Sequence, residues 1–166
     1  MSSRAAEHVL TEQALLEALK PARASGRMVA LANGLFDILH VGHLRYLESA
    51  GEQADLLLVG VNSDASARGL KGPSRPVVPE RERAELVAGL RAVDVVLLFD
   101  EETVADVLEA LRPDVHAKGT DYSALSVPER AIIATWGGRT VITGDPKDHA
   151  TSDLIRRLSA DRRRQG

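Results

Sequence analysis

Two histidines, His40 and His43, close the segment Asn33-Gly34-Leu35-Phe36-Asp37-Ile38-Leu39-His40-Val41-Gly42-His43. An apolar run, Met28 to Ala32, precedes the segment, and a helical pattern, Leu44 to Leu47, follows it. A turn from strand to helix is where an open α/β sheet offers free backbone N–H groups to a phosphate. Imidazoles three residues apart can point at one spot and donate hydrogen bonds to a phosphoryl group whose charge is rising. Two other readings compete. Zinc would need a third ligand, and neither cysteine nor a matching His-rich segment supplies one. Alternatively, each histidine only caps or packs. Its sharing of one turn with Gly34, Asp37 and Gly42 weighs against that.

Further residues could serve the same chemistry. Lys71 stands in a Gly- and Pro-rich loop, Lys71 to Pro76, where it could neutralise phosphate charge or simply be solvated. Thr151 and Ser152 open a final helical stretch, where hydroxyls and free N–H groups suit phosphates but also serve as a plain N-cap. Arg75 could bind phosphate or pair with Glu80. Asp37 could orient a histidine, hold the loop backbone, contact a sugar or approach a metal. Asp64 and Asp121 follow strands, where an acid often only caps a helix. His116 is expected to pack along its strand. His149 could join the phosphate motif or stay solvated.

The elements that must position these residues alternate regularly. Helices are expected over 11–22, with Thr11 as N-cap, and over 42–53, 65–70, 79–92, 103–111, 128–136 and 151–163. Strands are expected over 28–32, 55–61, 95–99, 115–118 and 140–143. This alternation predicts an α/β fold, a doubly wound, five-stranded parallel sheet of Rossmann-like form. Asn33 to His43, Asn62 to Asp64, Lys118 to Asp121 and Gly144 to Ser152 all follow strands and should share one rim. One domain is expected over 1–166: a helical extension over 1–27, a core over 28–158 and a basic tail over 159–166.

Composition narrows the classes. Hydrophobic residues make up 44% and charged residues 27%, as in ordinary globular domains. Aromatics are only 3%, so the core must be aliphatic. The net charge of −3 argues against nucleic acid as a partner; the arginines at 156–157 and 162–164 read as a solvated helix end. The chain has no cysteine, which excludes disulfides and thiolate catalysis and fits a reducing cytoplasm. Neither a secretory leader nor a membrane span is expected. The first turn lacks Gly-x-Gly-x-x-Gly, which disfavours a redox Rossmann enzyme.

Gly34 to His43 resembles the GxFDxxHxGH signature of the cytidylyltransferase-like nucleotidyltransferases. Val61 to Ser66, Leu70 to Val77, Arg112 to Tyr122 and Ala150 to Ile155 resemble the branch that adenylates heptose 1-phosphate. The likeness spans about 28 to 158. Two departures stand out: Ala150 replaces a hydroxyl residue of the last-helix motif, and Thr120 stands where Gly is common. The resemblance implies transfer of a nucleotidyl group from ATP, carried with Mg²⁺, to a sugar phosphate. It gives catalytic roles to His40, His43 and Lys71. It places Asn33, Gly34, Phe36, Asp37, Gly42, Lys118, Gly119, Asp121, Thr151 and Ser152 at the nucleotide, and Asn62, Asp64 and Arg75 at the acceptor. No resident metal site is implied. A homodimer is expected, with the apolar stretch 93–99 as one possible contact or equally a buried strand. Relatives that carry a fused sugar kinase imply that another protein makes the sugar phosphate here. Two alternatives remain: a cytidylyltransferase acting on glycerol 3-phosphate or a similar alcohol phosphate, and a nucleotide-binding module without turnover.

Overall fold

A computed structural model describes residues 3–101, 103–123, 125–145, 151 and 155–156. Six parallel strands form one sheet: β1 (Val9–Leu10), β2 (Val29–Gly34), β3 (Leu56–Asn62), β4 (Val95–Phe99), β5 (Val115–Gly119) and β6 (Arg139–Thr143). Their spatial order is β1-β4-β3-β2-β5-β6. The helices are α1 (Glu12–Ala24), α2 (Val41–Gly51), α3 (Asp64–Lys71), α4 (Glu80–Ala88), α5 (Ala105–Leu111) and α6 (Arg130–Ala134).

The sheet has one strand more than the sequence pattern suggests. Val9 and Leu10 pair in parallel with Val96 and Leu97 and form an edge. Two residues are too few to show strand periodicity, so this edge is invisible without its partner. The helix expected after it is present, and Thr11 Oγ1 accepts from Ala14 N–H as its N-cap. Leu15 and Leu19 of α1 are buried with the central strands, so this helix belongs to the sheet's packing layer.

Strand parity explains the two layers, because successive side chains point to opposite faces. Ala30, Ala32, Leu57, Val59, Val115 and Ala117 pack with Leu47 and Ala50 of α2 and Val87 of α4. Leu31, Leu58 and Leu97 pack with α1, α5 and Ile133 of α6. Both faces are covered, which is why the strands read as continuous apolar runs. β4 is paired on both edges, by β1 and β3, so the 93–99 stretch is interior sheet rather than an open contact surface.

The chain moves from β2 outward through β3 to β4, then crosses to β5 on the other side of β2. The reversal lies between β2 and β5, and a crevice is expected beyond their carboxyl ends.

Candidate active site

A cleft of about 600 Å³ opens at that reversal. Its wall includes the ends of β2 (Asn33, Gly34), β3 (Asn62), β5 (Lys118, Gly119) and β6 (Thr143). The start of α2 supplies Gly42 and His43, with His40 as its N-cap residue. Apart from His43 N–H, which donates to His40 O at 2.9 Å, the N–H groups of a helix's first turn have no intrahelical partner and suit an anion.

His40 and His43 stack, with ring centroids 3.8 Å apart and planes 22° from parallel. Phe36 presents an edge to His43 at 5.3 Å and stacks on Tyr46 at 6.4 Å. Phe36 adopts φ 49°, a conformation uncommon for a bulky residue, and this turns its ring under the histidines. Burial, and next the neighbouring His40, push the His43 pKa down to about 4. His43 is therefore neutral near pH 7, and its buried Nδ1 has no hydrogen-bond partner among the described residues.

Gly144 seals the back of α2. It adopts φ +93°, and a Cβ there would meet Tyr46 Cα at 3.1 Å. The Tyr46 hydroxyl donates to Ala117 O at 2.8 Å, tying α2 to β5; burial drives its pKa upward.

Asp37 is 2% exposed and organises the facing loop. Val77 N–H and Val78 N–H donate to its Oδ1 at 2.7 and 2.9 Å, and Arg75 Nε donates to its Oδ2 at 2.5 Å. Of the roles open to Asp37, the structure displays backbone support. Arg75 lines the cleft but does not pair with Glu80, whose Oε2 accepts from Asp64 N–H at 2.6 Å instead. Lys71 lines the cleft as the last residue of α3 rather than as a loop residue.

Most of the residues expected at the site converge here. Asn33, Gly34, Phe36, Asp37, His40, Gly42, His43, Asn62, Lys71, Arg75, Lys118, Gly119, Asp121 and Thr151 all line the cleft. Asp64 is the exception. Its Oδ1 receives Arg83 Nη2 at 2.9 Å, and it does not reach the wall. Ser152 and His149 lie outside the described residues. Thr151 Oγ1 donates to Ile38 O at 3.4 Å, so this residue abuts the histidine turn.

Three contributors were not evident in the sequence. Arg83 is fully buried in α4 and donates to Val78 O at 2.8 Å, to Leu35 O and to Asp64. It joins the histidine turn, the loop after α3 and the start of α3. A charged residue inside an amphipathic helix carries no local sign of burial. Glu129 and Thr143 also line the cleft, and both are buried. Parity could have flagged the neighbourhood of Glu129, because Asn33, His116 and Lys118 share one sheet face. Asn33 Oδ1 accepts from Lys118 Nζ at 3.2 Å and faces His116 Nε2 at 3.2 Å. Lysine can only donate, so the amide oxygen must face it, and His116 then carries its proton on Nε2. Burial, with Lys118 adding to it, pushes the His116 pKa down to about 3. Burial also lowers the Lys118 pKa, while Glu129 opposes that shift.

Among the described residues, no group of three or more His, Asp or Glu could hold a metal ion. None of the described helices is long and apolar enough to cross a membrane.

This geometry has known counterparts. A family model described as cytidylyltransferase-like matches residues 31–144. The bifunctional protein HldE of Methylobacillus flagellatus is 42% identical over 159 residues, covering 96% of this chain and 33% of that protein. The protein of the same name from Acidiphilium cryptum is 43% identical over 157 residues, covering 95% and 32%. The chain thus spans about a third of the length of these curated relatives. A crystal structure of a lipopolysaccharide core biosynthesis protein from Thermoplasma volcanium superposes with a TM-score of 0.64 at 28% identity, over 74% of this chain and all of that one. The matched span holds the paired histidines, the crevice at the strand reversal and nearly the whole sheet, and on that ground the chain belongs to the cytidylyltransferase-like family of nucleotidyltransferases.

Proposed function

We propose that this chain adenylates a sugar 1-phosphate, heptose 1-phosphate, using ATP and releasing pyrophosphate. A phosphate oxygen of the sugar attacks the α-phosphorus of ATP. The bond from that phosphorus to the oxygen bridging to the β-phosphate breaks, and pyrophosphate leaves. The nucleophile is already ionised near neutral pH, so no general base is needed. Catalysis then rests on positioning and charge stabilisation.

The observation that carries this reading is the stacked, cleft-facing histidine pair at the start of α2. The helix N-terminus and the two imidazoles offer donors to the α-phosphoryl oxygens. Lys71, at the end of α3, lines the same cleft and can neutralise charge between the two phosphates. The Thr151 hydroxyl suits the β- and γ-phosphates. Mg²⁺ enters as part of the nucleotide substrate. The acceptor side falls to Arg75 and Asn62. Use of ATP and a sugar phosphate fits a cytoplasmic enzyme, and a homodimer is the assembly proposed from the family resemblance.

Each nucleoside triphosphate should be tested against heptose 1-phosphate anomers, glycerol 3-phosphate and related phosphates, with pyrophosphate release as the readout. ATP with a heptose 1-phosphate is the expected best pair. Preference for CTP with glycerol 3-phosphate would replace this assignment by a cytidylyltransferase. Release with no pair, alongside retained nucleotide binding, would make the chain a binding module.

A further inference from the structure

The cleft floor beneath β5 and β6 holds polar atoms that the proposed reaction leaves unused. Glu129 is 7% exposed and Thr143 4% exposed, and both residues line the cleft. Glu129 Oε2 and Thr143 Oγ1 are buried with no hydrogen-bond partner among the described residues. Lys118 Nζ stands 3.8 Å from Glu129 Oε2, beyond hydrogen-bond length. Lys118 is held in place by Asn33 Oδ1, with the Tyr122 ring centroid 5.2 Å from its Nζ. Thr143 lies in register beside Gly119, one residue past Lys118, so its side chain leaves the sheet on the face opposite Lys118 and Glu129 stands with Lys118 alone. Glu129 and Lys118 thus form a buried ion pair at a separation too long for a direct hydrogen bond, and a buried pair is stabilised when its remaining donors and acceptors are filled.

We propose that Glu129 and Lys118 bind one hydroxyl of a sugar ring, which makes Glu129 a specificity-determining residue. A hydroxyl oxygen bridging the gap accepts from the Lys118 ammonium and donates its proton to the Glu129 carboxylate. A phosphate oxygen lacks that proton and meets the carboxylate's charge. The hydroxyl belongs to the ribose of the nucleotide or to the acceptor sugar, and the chemistry is the same for both. The inference rests on the nucleotidyl-transfer reading for its choice of ligands.

Equilibrium binding to wild type and to Glu129→Gln tests it, with ATP, 2′-deoxy-ATP and 3′-deoxy-ATP in one arm. The other arm uses the acceptor sugar phosphate and its analogues lacking single ring hydroxyls. In the wild type, removal of one particular hydroxyl should weaken binding roughly ten- to a hundredfold. In Glu129→Gln, the same removal should matter much less, and the arm showing this coupling names the source. Tolerance of every deoxy analogue by the wild type overturns the proposal, and that comparison needs no variant. Equal weakening of parents and analogues by Glu129→Gln also overturns it, as does a change in base preference alone. Glu129→Asp, which withdraws the carboxylate from the hydroxyl, provides a second variant on the same panel should Glu129→Gln fail to fold. Because both arms read binding, absent pyrophosphate release would sink the proposed reaction while leaving this test decisive.

Discussion

At the residue scale, the place of the histidine turn, between β2 and α2 on the cleft wall, is legible from the chain. Its proposed role in holding phosphate comes from spacing, because two imidazoles and two glycines at a strand-to-helix turn suit few other tasks. What the chain could not display is the stacking of the rings or the burial that keeps His43 neutral. His43→Ala should leave a folded protein with kcat lowered on the order of 10²-fold or more; near-normal turnover would remove His43 from catalysis. Acid stability gives a second expectation. His43 and His116 have folded pKa values near 4 and 3, below the usual 6.5 for histidine. Between those values and 6.5 the unfolded chain binds more protons, so stability rises with pH across that window and falls as pH drops through it. Urea unfolding at pH 7 and pH 5 should show the loss, with uptake of about two protons on unfolding near pH 5. Replacing His116 with an uncharged residue that keeps the fold should remove part of that slope.

At the element scale, the sequence located nearly every helix and strand but not how the loops are tied. Asp37 is open to several roles by its type and place, because its partners Val77 and Val78 lie some forty residues away and no local pattern links them. Arg83 is a stronger case. Its position in α4 looks solvated, and only the tertiary fold shows it spanning three segments. Asp37→Ala would strand two backbone donors and the Arg75 guanidinium. A loss of about 3 kcal/mol is expected, with faster hydrogen exchange at the Val77 and Val78 amides. Unchanged exchange there would mean that the loop is held by something else. Gly144→Ala combines a positive φ with a close approach to Tyr46 and should cost about 1–3 kcal/mol, measured by chemical unfolding.

At the scale of the whole molecule, periodicity was enough for a doubly wound sheet because both faces are covered and the strands read as apolar runs. The sixth strand escaped because two residues carry no periodicity, and because edge pairing is a property of the partner strand. Its neighbour α1 is structural: Leu15 is 1% exposed and packs with β2, β3 and β4. Leu15→Ala should destabilise the protein by about 2–5 kcal/mol, while substrate KM values stay unchanged in the fraction that remains folded. A shifted KM with intact stability would tie this distant helix to the cleft.

Two imidazoles 3.8 Å apart also make nucleotide binding a proton-linked event. A triphosphate seated beside them opposes both the solvent loss and the mutual repulsion that keep His43 neutral. Binding should therefore draw a proton from solution, and nucleotide affinity should increase as pH falls from 7 towards 5. Calorimetric titrations in two buffers of different ionisation enthalpy would then return different apparent heats, while identical heats would show that the pair keeps its protonation when the ligand arrives.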